Sequence, residues 1–437
     1  MPRAIGRALA IEDPRALYAE FAILAALCTA AIFFALHQFY QFEFERLCRG
    51  FDIWFDSDPG RTVAGVTDRY APYHERSRLH PLWSMLIAAP VRLISRVAGL
   101  NIKDSIALYV ALQAACLTST IYIAQRTFGF RRIDAVLGTV LCFSTAGFIY
   151  WIGFPEWLAF GAASILVSVI WFAAPPGAQN HATGVAQSVI SASITASHWA
   201  IGIAASLLYR WPRIEWAQAY RHTRDALALL ALLTVFQYLL FPTAGGFFKI
   251  WSDATLQRNR VETPIVNHTI TFFAHTLAAP TPIVVEGARK EPGFVRIITN
   301  QMAPADLTPL SILVFGLWIV LAAIGIRAAL ASRRDTIVIG FVGFVLALFY
   351  VLHSVYGGHT FLFSLQFVPL MAFIALWGSK SDWRWVVRGL CAVLIVASFA
   401  FSYPQFQATV AIHNATDLSW LDGMGYASDY NRTLQCL

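Results

Sequence analysis

Nine stretches of this chain, near 19–40, 104–124, 133–150, 157–174, 225–245, 308–328, 335–354, 359–378 and 385–402, run for about 18 to 22 residues almost without charge. A hydrocarbon core ~30 Å thick needs a helix of that length, and only helices or closed barrels satisfy every backbone group inside it. No soluble fold buries so many such runs. Across its 437 residues the chain is 57% apolar and only 13% charged, where an ordinary soluble domain is about a quarter charged. The same figures, with 14% aromatic residues, exclude a disordered protein. The chain therefore reads as an all-α polytopic membrane protein, one membrane domain over 1–437. Its amino terminus, with Arg3, Arg7 and Arg15 ahead of an apolar run without a small-residue cleavage site, reads as a retained anchor.

Two segments decide the topology. The first, 80–98 (HPLWSMLIAAPVRLISRVA), carries Pro90, Arg92 and Arg96; the second, 183–209, is long and interrupted by Ser, Thr and His. Short cytoplasmic loops are enriched in Lys and Arg, so Arg126, Arg131 and Arg132 belong inside. That holds if 80–98 lies on the outer surface as an interfacial helix with its arginines at the headgroups. It also requires 183–209 to be a hairpin turning near Ala196 to His198, which brings Arg210, Arg213, Arg221 and Arg224 inside. About eleven transmembrane helices result. The inner segments then carry +8 and the outer ones −1, which together make the +7 of the chain. Its basic balance is a topology signal, and no nucleic-acid partner is implied. Three external segments remain: 41–103 with its interfacial helices, 246–307, and a tail at 403–437. No tandem repeat is apparent.

Of six cysteines, Cys28, Cys116, Cys142 and Cys391 lie inside apolar runs, where Cys acts as a small hydrophobe, and no metal or redox motif follows. Cys48 and Cys436 fall outside the spans and either pair, if that side is oxidising, or stay free.

The densest polar stretch is 52–80, DIWFDSDPGRTVAGVTDRYAPYHERSRLH. Asp56 and Asp58, two apart, present both carboxylates to one face of an extended segment, and Pro59 suits the first turn of a helix. Asp58 is then either an N-cap alone, or one of a pair that acts as general base or holds a metal. Glu156 in YWIGFPEWLAF is the single charge of a tight external turn: either an interfacial carboxylate beside Trp151 and Trp157, or a functional one. In SVYGGHTFLF a Gly-Gly turn puts Tyr356 and His359 at the outer surface, and His198 sits at the hairpin tip; each is either structural or a ligand contact. Arg258 and Arg260 in the 246–307 segment belong to a solvated loop or grip a phosphate.

The order of these features resembles the GT-C membrane glycosyltransferases: an aspartate just after the first helix (SDPGRTVAGV), His-Pro before an interfacial helix (LHPLWSMLIAAP), RTFGFRR inside, an acidic turn after the third helix, and a long loop after the seventh. The layout is similar to that of the protein O-mannosyltransferases and the lipid A aminoarabinose transferase. His80 and Pro81 match the family's His-Pro-Pro-Leu-Tyr stretch, without its second proline, and the chain has neither a WWD-type acceptor motif nor a soluble carboxy-terminal domain. The resemblance implies an inverting glycosyltransferase that moves a sugar from a polyprenyl-phosphate donor to an acceptor hydroxyl on a glycan, glycolipid or envelope polysaccharide, at the periplasmic face of a bacterial inner membrane. Asp58 or Asp56 would be the catalytic base and Glu156 the second acidic site. Arg61, His80, His198, Arg258, Arg260, Tyr356 and His359 would bind donor phosphate or sugar. A monophosphate leaving group needs no metal cofactor; a divalent ion on the external carboxylates is the second variant. An envelope polysaccharide polymerase or ligase with a diphosphate-linked donor, or a lipid-linked sugar flippase, is the competing class. A flippase predicts charges at mid-membrane, whereas here the carboxylates gather at one face.

Overall fold

Helices of near-membrane length form a bundle, and the chain between the first two of them folds back over one end of it. The computed structural model describes residues 14–49, 54–55, 57–246, 264–278, 282–286, 295–299, 308–355 and 360–416. Helix α1 (Pro14–Phe39) is followed by short α2 (Phe44–Arg49) and α3 (Pro59–Thr67), a 3-10 stretch at Pro72–Arg78, and a π turn (Ser84–Ala88) that runs into α4 (Ala89–Ala98). Helix α5 (Ile102–Thr127) then lies antiparallel to α1. Glu20 meets Arg126 at 2.8 Å at one end of the pair, and Lys103 lies 5.2 Å from the Tyr40 ring at the other. A 26-residue helix is about 39 Å long, so the two contacts mark opposite ends of the bundle.

After α5 come α6 (Arg132–Phe143), α7 (Ala146–Trp151), α8 (Leu158–Ala173), α9 (His181–Ile194), α10 (Trp199–Leu208) and α11 (Trp216–Leu240). The turn between α9 and α10 is a 3-10 segment at Ala196–His198, the position expected for the hairpin tip. Within 246–307 the described part is structured: a short helix α12 (Ile265–Ile270), a π turn at Thr271–His275, and an antiparallel pair β1 (Pro282–Glu286) and β2 (Val295–Thr299) in which Val284 opposes Ile297. Among the described residues this strand pair is the departure from an otherwise helical fold. Helices α13 (Pro309–Ala329), α14 (Arg333–Val355), α15 (Ser364–Leu376) and α16 (Arg384–Ala415) complete the chain. Residues 403–415, expected as an external tail, continue α16 as helix.

Among the described residues seven helices are long and apolar enough to cross a membrane: Arg15–Phe39, Ile102–Thr127, Trp216–Leu240, Pro309–Ala329, Arg333–Val355, Thr360–Lys380 and Arg384–Ala415. The other expected spans are shorter. The 133–150 run is broken at Ser144 and Thr145, because the Thr145 hydroxyl accepts the Phe148 N–H at 3.3 Å and starts a new helix. Helix α8, at 16 residues, spans about 24 Å.

The bundle is apolar on its outside as well as inside. Leu232, Val235, Phe236 and Leu239 on α11 and Ile312, Leu313 and Ile319 on α13 are exposed, a perimeter far larger than a water-soluble surface tolerates. Every side chain of α15 except Ile374 is buried, so this helix runs through the centre. Gly325 lets α13 approach it: a Cβ there would fall 1.9 Å from the Ile374 carbonyl oxygen. The protein is an integral membrane protein.

Ion pairs close the end that carries Glu20. Its carboxylate also accepts the Tyr122 hydroxyl at 2.6 Å and Arg132 Nε at 2.7 Å. Arg388 grips Asp134 with two nitrogens, at 2.7 and 3.1 Å, and Lys380 meets Asp335 at 2.7 Å. The polar loops over the opposite end hold the candidate site.

Candidate functional site: a carboxylate pair with two arginines

Asp58 precedes α3, and Pro59 takes the first helical position, where its missing N–H costs nothing. The aspartate does not cap. Its side chain makes no hydrogen bond to the helix amides; instead Oδ2 pairs with Arg61 Nη1 and lies 3.5 Å from Arg76 Nη1. Oδ1 is buried and has no partner. The chain thus holds a carboxylate with one oxygen neutralised and one set of lone pairs unused.

Glu156 reaches this aspartate from 98 residues away: its Oε1 accepts the backbone N–H of Asp58 at 2.8 Å. Oε2 accepts the Trp157 N–H at 3.3 Å. Burial, and after it the charge of Asp58, raises the Glu156 carboxyl to about 7, against the opposing pull of the Asp58 N–H, Arg76 and the Trp157 N–H. Glu156 is therefore a positioning group for the Asp58 backbone, near its own midpoint at neutral pH.

Aromatic packing fixes both strands of the pair. Trp54 stacks on Phe154 at 5.6 Å and meets Phe42 edge-on at 5.0 Å; Phe55 packs on Phe361 at 5.1 Å and Tyr150 at 5.6 Å. Phe55 has a left-handed φ of 48°, which costs a bulky residue about 1–3 kcal/mol. Burying the ring returns roughly 1.5–3 kcal/mol. The Phe55 N–H also donates to the Ile297 carbonyl at 2.9 Å, tying the segment to β2. On the Glu156 side, Gln113 of α5 donates to the carbonyls of Ile152 and Phe154 at 2.7 and 2.9 Å, and Gln38 of α1 to that of Ile149 at 2.8 Å. Gly153 is required there, since a Cβ would stand 2.5 Å from Gln38 Cβ and 2.8 Å from the Ala35 oxygen.

His80 enters the same corner through the hairpin tip. Leu79 and Leu82 exchange backbone hydrogen bonds with Ala196 and Ser193, at 2.9 and 2.8 Å. His80 Nδ1 donates to the Ile194 carbonyl at 2.8 Å, which leaves Nε2 as the acceptor of a neutral ring. Burial and then the Arg76 charge push this imidazole down to about 3. The ring lies 4.5 Å from that of Trp157, which in turn is 6.5 Å from His198. His198 bonds Ser164 at 3.1 Å and Gln366 at 3.3 Å, and Gln366 Nε2 is buried without a partner.

The structure thus brings together Asp58, Glu156 and Arg61, with His80 and His198 in contact through Trp157. Asp56, Arg258, Arg260, Tyr356 and His359 lie outside the described residues, as does Cys436; Cys48 is disulfide-bonded. Sequence reasoning missed Arg76, Tyr109 and Trp83, and read Trp157 as an interfacial aromatic beside Glu156 without its contact to His80 and His198. Arg76 stood unremarked in a stretch crowded with charge. Tyr109 hides in the apolar run of α5, where its buried hydroxyl faces the indole N–H of Trp83; a phenol in mid-run was the available signal. Among the described residues no group of three His, Cys, Asp or Glu is close enough to hold a metal ion. Compared with known proteins, the chain matches no family model and none of the curated proteins.

Proposed function

We propose that this membrane protein is an inverting glycosyltransferase of GT-C type, with about eleven spans once the 133–150 run, α8, α9 and α10 are counted with the seven long helices. It takes a polyprenyl-phosphate sugar as donor and works at the periplasmic face of a bacterial inner membrane. One observation carries the reading: a buried aspartate after the first long helix has one free oxygen, two arginines on the other, and its backbone held by a second carboxylate.

Each part has a task in such a transfer. Asp58 Oδ1 takes the proton of an acceptor hydroxyl as that oxygen bonds the anomeric carbon. The bond from this carbon to the phosphate oxygen breaks, and its electron pair leaves on the phosphate. Arg61 and Arg76, which pair with Asp58, neutralise that charge, since guanidinium binds phosphate in a planar fork. Neutral His80 accepts a sugar hydroxyl through Nε2. The acceptor is a glycan, glycolipid or envelope polysaccharide hydroxyl. A divalent metal on the carboxylates has Arg61 and Arg76 as competitors for Asp58, so the metal-free route is preferred.

The test is sugar transfer in proteoliposomes from synthetic polyprenyl-phosphate sugars to a membrane-extract acceptor, wild type against Asp58→Asn and Asp56→Asn. The expected result is loss of transfer of 100-fold or more, on the order of general-base catalysis, in a folded Asp58→Asn protein. Equal transfer by that variant overturns the assignment. Inactivity of the wild type with every monophosphate donor, together with activity on a diphosphate-linked one, selects a polymerase or ligase.

A further inference from the structure

A second group of arginines stands away from the carboxylate pair, and among the described residues Asp68 is the one carboxylate set against it. Asp68 is the C-cap of α3 and Arg69 follows it. Since α3 has nine residues, about 13 Å of helix, this corner is a helix length from Asp58. Here α3 packs against the Ser84–Ala98 helix. Arg92 and Arg96 of that helix, four residues apart, share a face. Arg69 Nη2 donates to the Leu239 carbonyl at the end of α11, at 3.3 Å, and its guanidinium lies 5.0 Å from the Tyr70 ring. Arg69 Nε and Arg92 Nη1 are both buried without a hydrogen-bond partner. Asp68, the nearby carboxylate, already accepts the Tyr70 N–H at 3.0 Å. Burial, then the charge of Arg96, lowers Arg92 from its ordinary range; Arg69 adds to the repulsion, while Asp68 and Tyr70 oppose it.

We propose that Arg69, Arg92 and Arg96 form an anion site for the phosphate of an anionic phospholipid headgroup. Buried guanidinium N–H groups without acceptors and an excess of positive charge are answered together by a phosphate ester, which offers several oxygens and a negative charge. The same helix exposes Leu86, Leu93, Ile94 and Val97. Those apolar side chains beside a basic cluster give acyl chains a contact that a free phosphate lacks. The site is independent of sugar transfer, because none of its residues touches Asp58 or Glu156.

The full chain, purified in neutral detergent, is titrated with fluorescent phosphatidylglycerol and phosphatidylcholine, with inorganic phosphate as competitor. Wild type and Arg213→Gln, an exposed arginine elsewhere, are expected to prefer phosphatidylglycerol by about tenfold. Arg69→Gln/Arg92→Gln is expected to lose that preference. Arg96→Gln, an exposed position whose replacement leaves the packing alone, is expected to weaken phosphatidylglycerol by roughly threefold or more. Unchanged phosphatidylglycerol affinity in Arg96→Gln overturns the proposal even if the double variant does not fold. Displacement of the lipid by inorganic phosphate at equal concentration also overturns it, since the site would then recognise phosphate without a lipid.

Discussion

Replacing Glu156 by Gln separates its charge from its hydrogen bond. In the fold the carboxyl titrates at about 7, against 4.5 in an exposed chain. Between those values the folded state holds more protons than the unfolded one, so stability falls as pH rises through the window. The cost is absent below pH 4.5 and complete above about 7; a difference of 2.5 pH units corresponds to roughly 3 kcal/mol. Gln keeps an oxygen for the Asp58 N–H but never ionises. It loses the longer contact to the Trp157 N–H, worth about 1 kcal/mol, so Glu156→Gln is expected to be more stable than wild type by about 2 kcal/mol at pH 8. At pH 5 the advantage disappears. Ala, which offers no acceptor, leaves the buried Asp58 N–H unpaired and costs about 1–3 kcal/mol at every pH. Thermal unfolding of the three proteins in detergent between pH 5 and 8, followed by tryptophan fluorescence, measures the pattern as midpoint shifts of a few degrees. Parallel midpoint curves for wild type and Glu156→Gln would refute the reasoning, because the carboxyl would then not change charge on unfolding in this range.

Two further outcomes follow from the packing. Gly153→Ala forces a methyl against Gln38 and the α1 backbone, and overpacking of this kind costs about 1–3 kcal/mol; it is expected to lower both the unfolding temperature and any activity that needs Glu156, with Ala in place of Gly316, where a Cβ meets nothing within 4 Å, as the control in the same assays. At the opposite end, Asp134→Ala strands the Arg388 guanidinium and Arg388→Ala strands a buried Asp134, each expected to cost about 3–5 kcal/mol, while the double replacement recovers much of the loss in a denaturation cycle.

Hydropathy made most of the helices legible in advance. The runs near 104–124, 308–328 and 335–354 appear as α5, α13 and α14 almost residue for residue, because an uninterrupted apolar stretch has to satisfy its own backbone. The hairpin tip at Ala196 to His198 was legible from charge, as the arginines after it could not otherwise share a side with Arg126. The break of the 133–150 run was not, since whether Thr145 caps a new helix or points into the bundle depends on what packs around it. Nor was the fate of Asp58: DPGRT carries every mark of a helix cap, and the fold spends the carboxylate on Arg61 and Arg76 instead.

The sequence by itself determined that this is a helical membrane protein and that its polar chemistry gathers where 52–80 and the turn at Glu156 lie, because both follow from local composition along the chain. Only the tertiary structure decided that Asp58 and Glu156 share a hydrogen bond, that Arg76 joins them, and that Trp157 stands between His80 and His198. Those contacts cross up to a hundred residues and depend on the antiparallel seating of α1 and α5 and on the aromatic ring cluster at Trp54 and Phe55, which no single segment encodes.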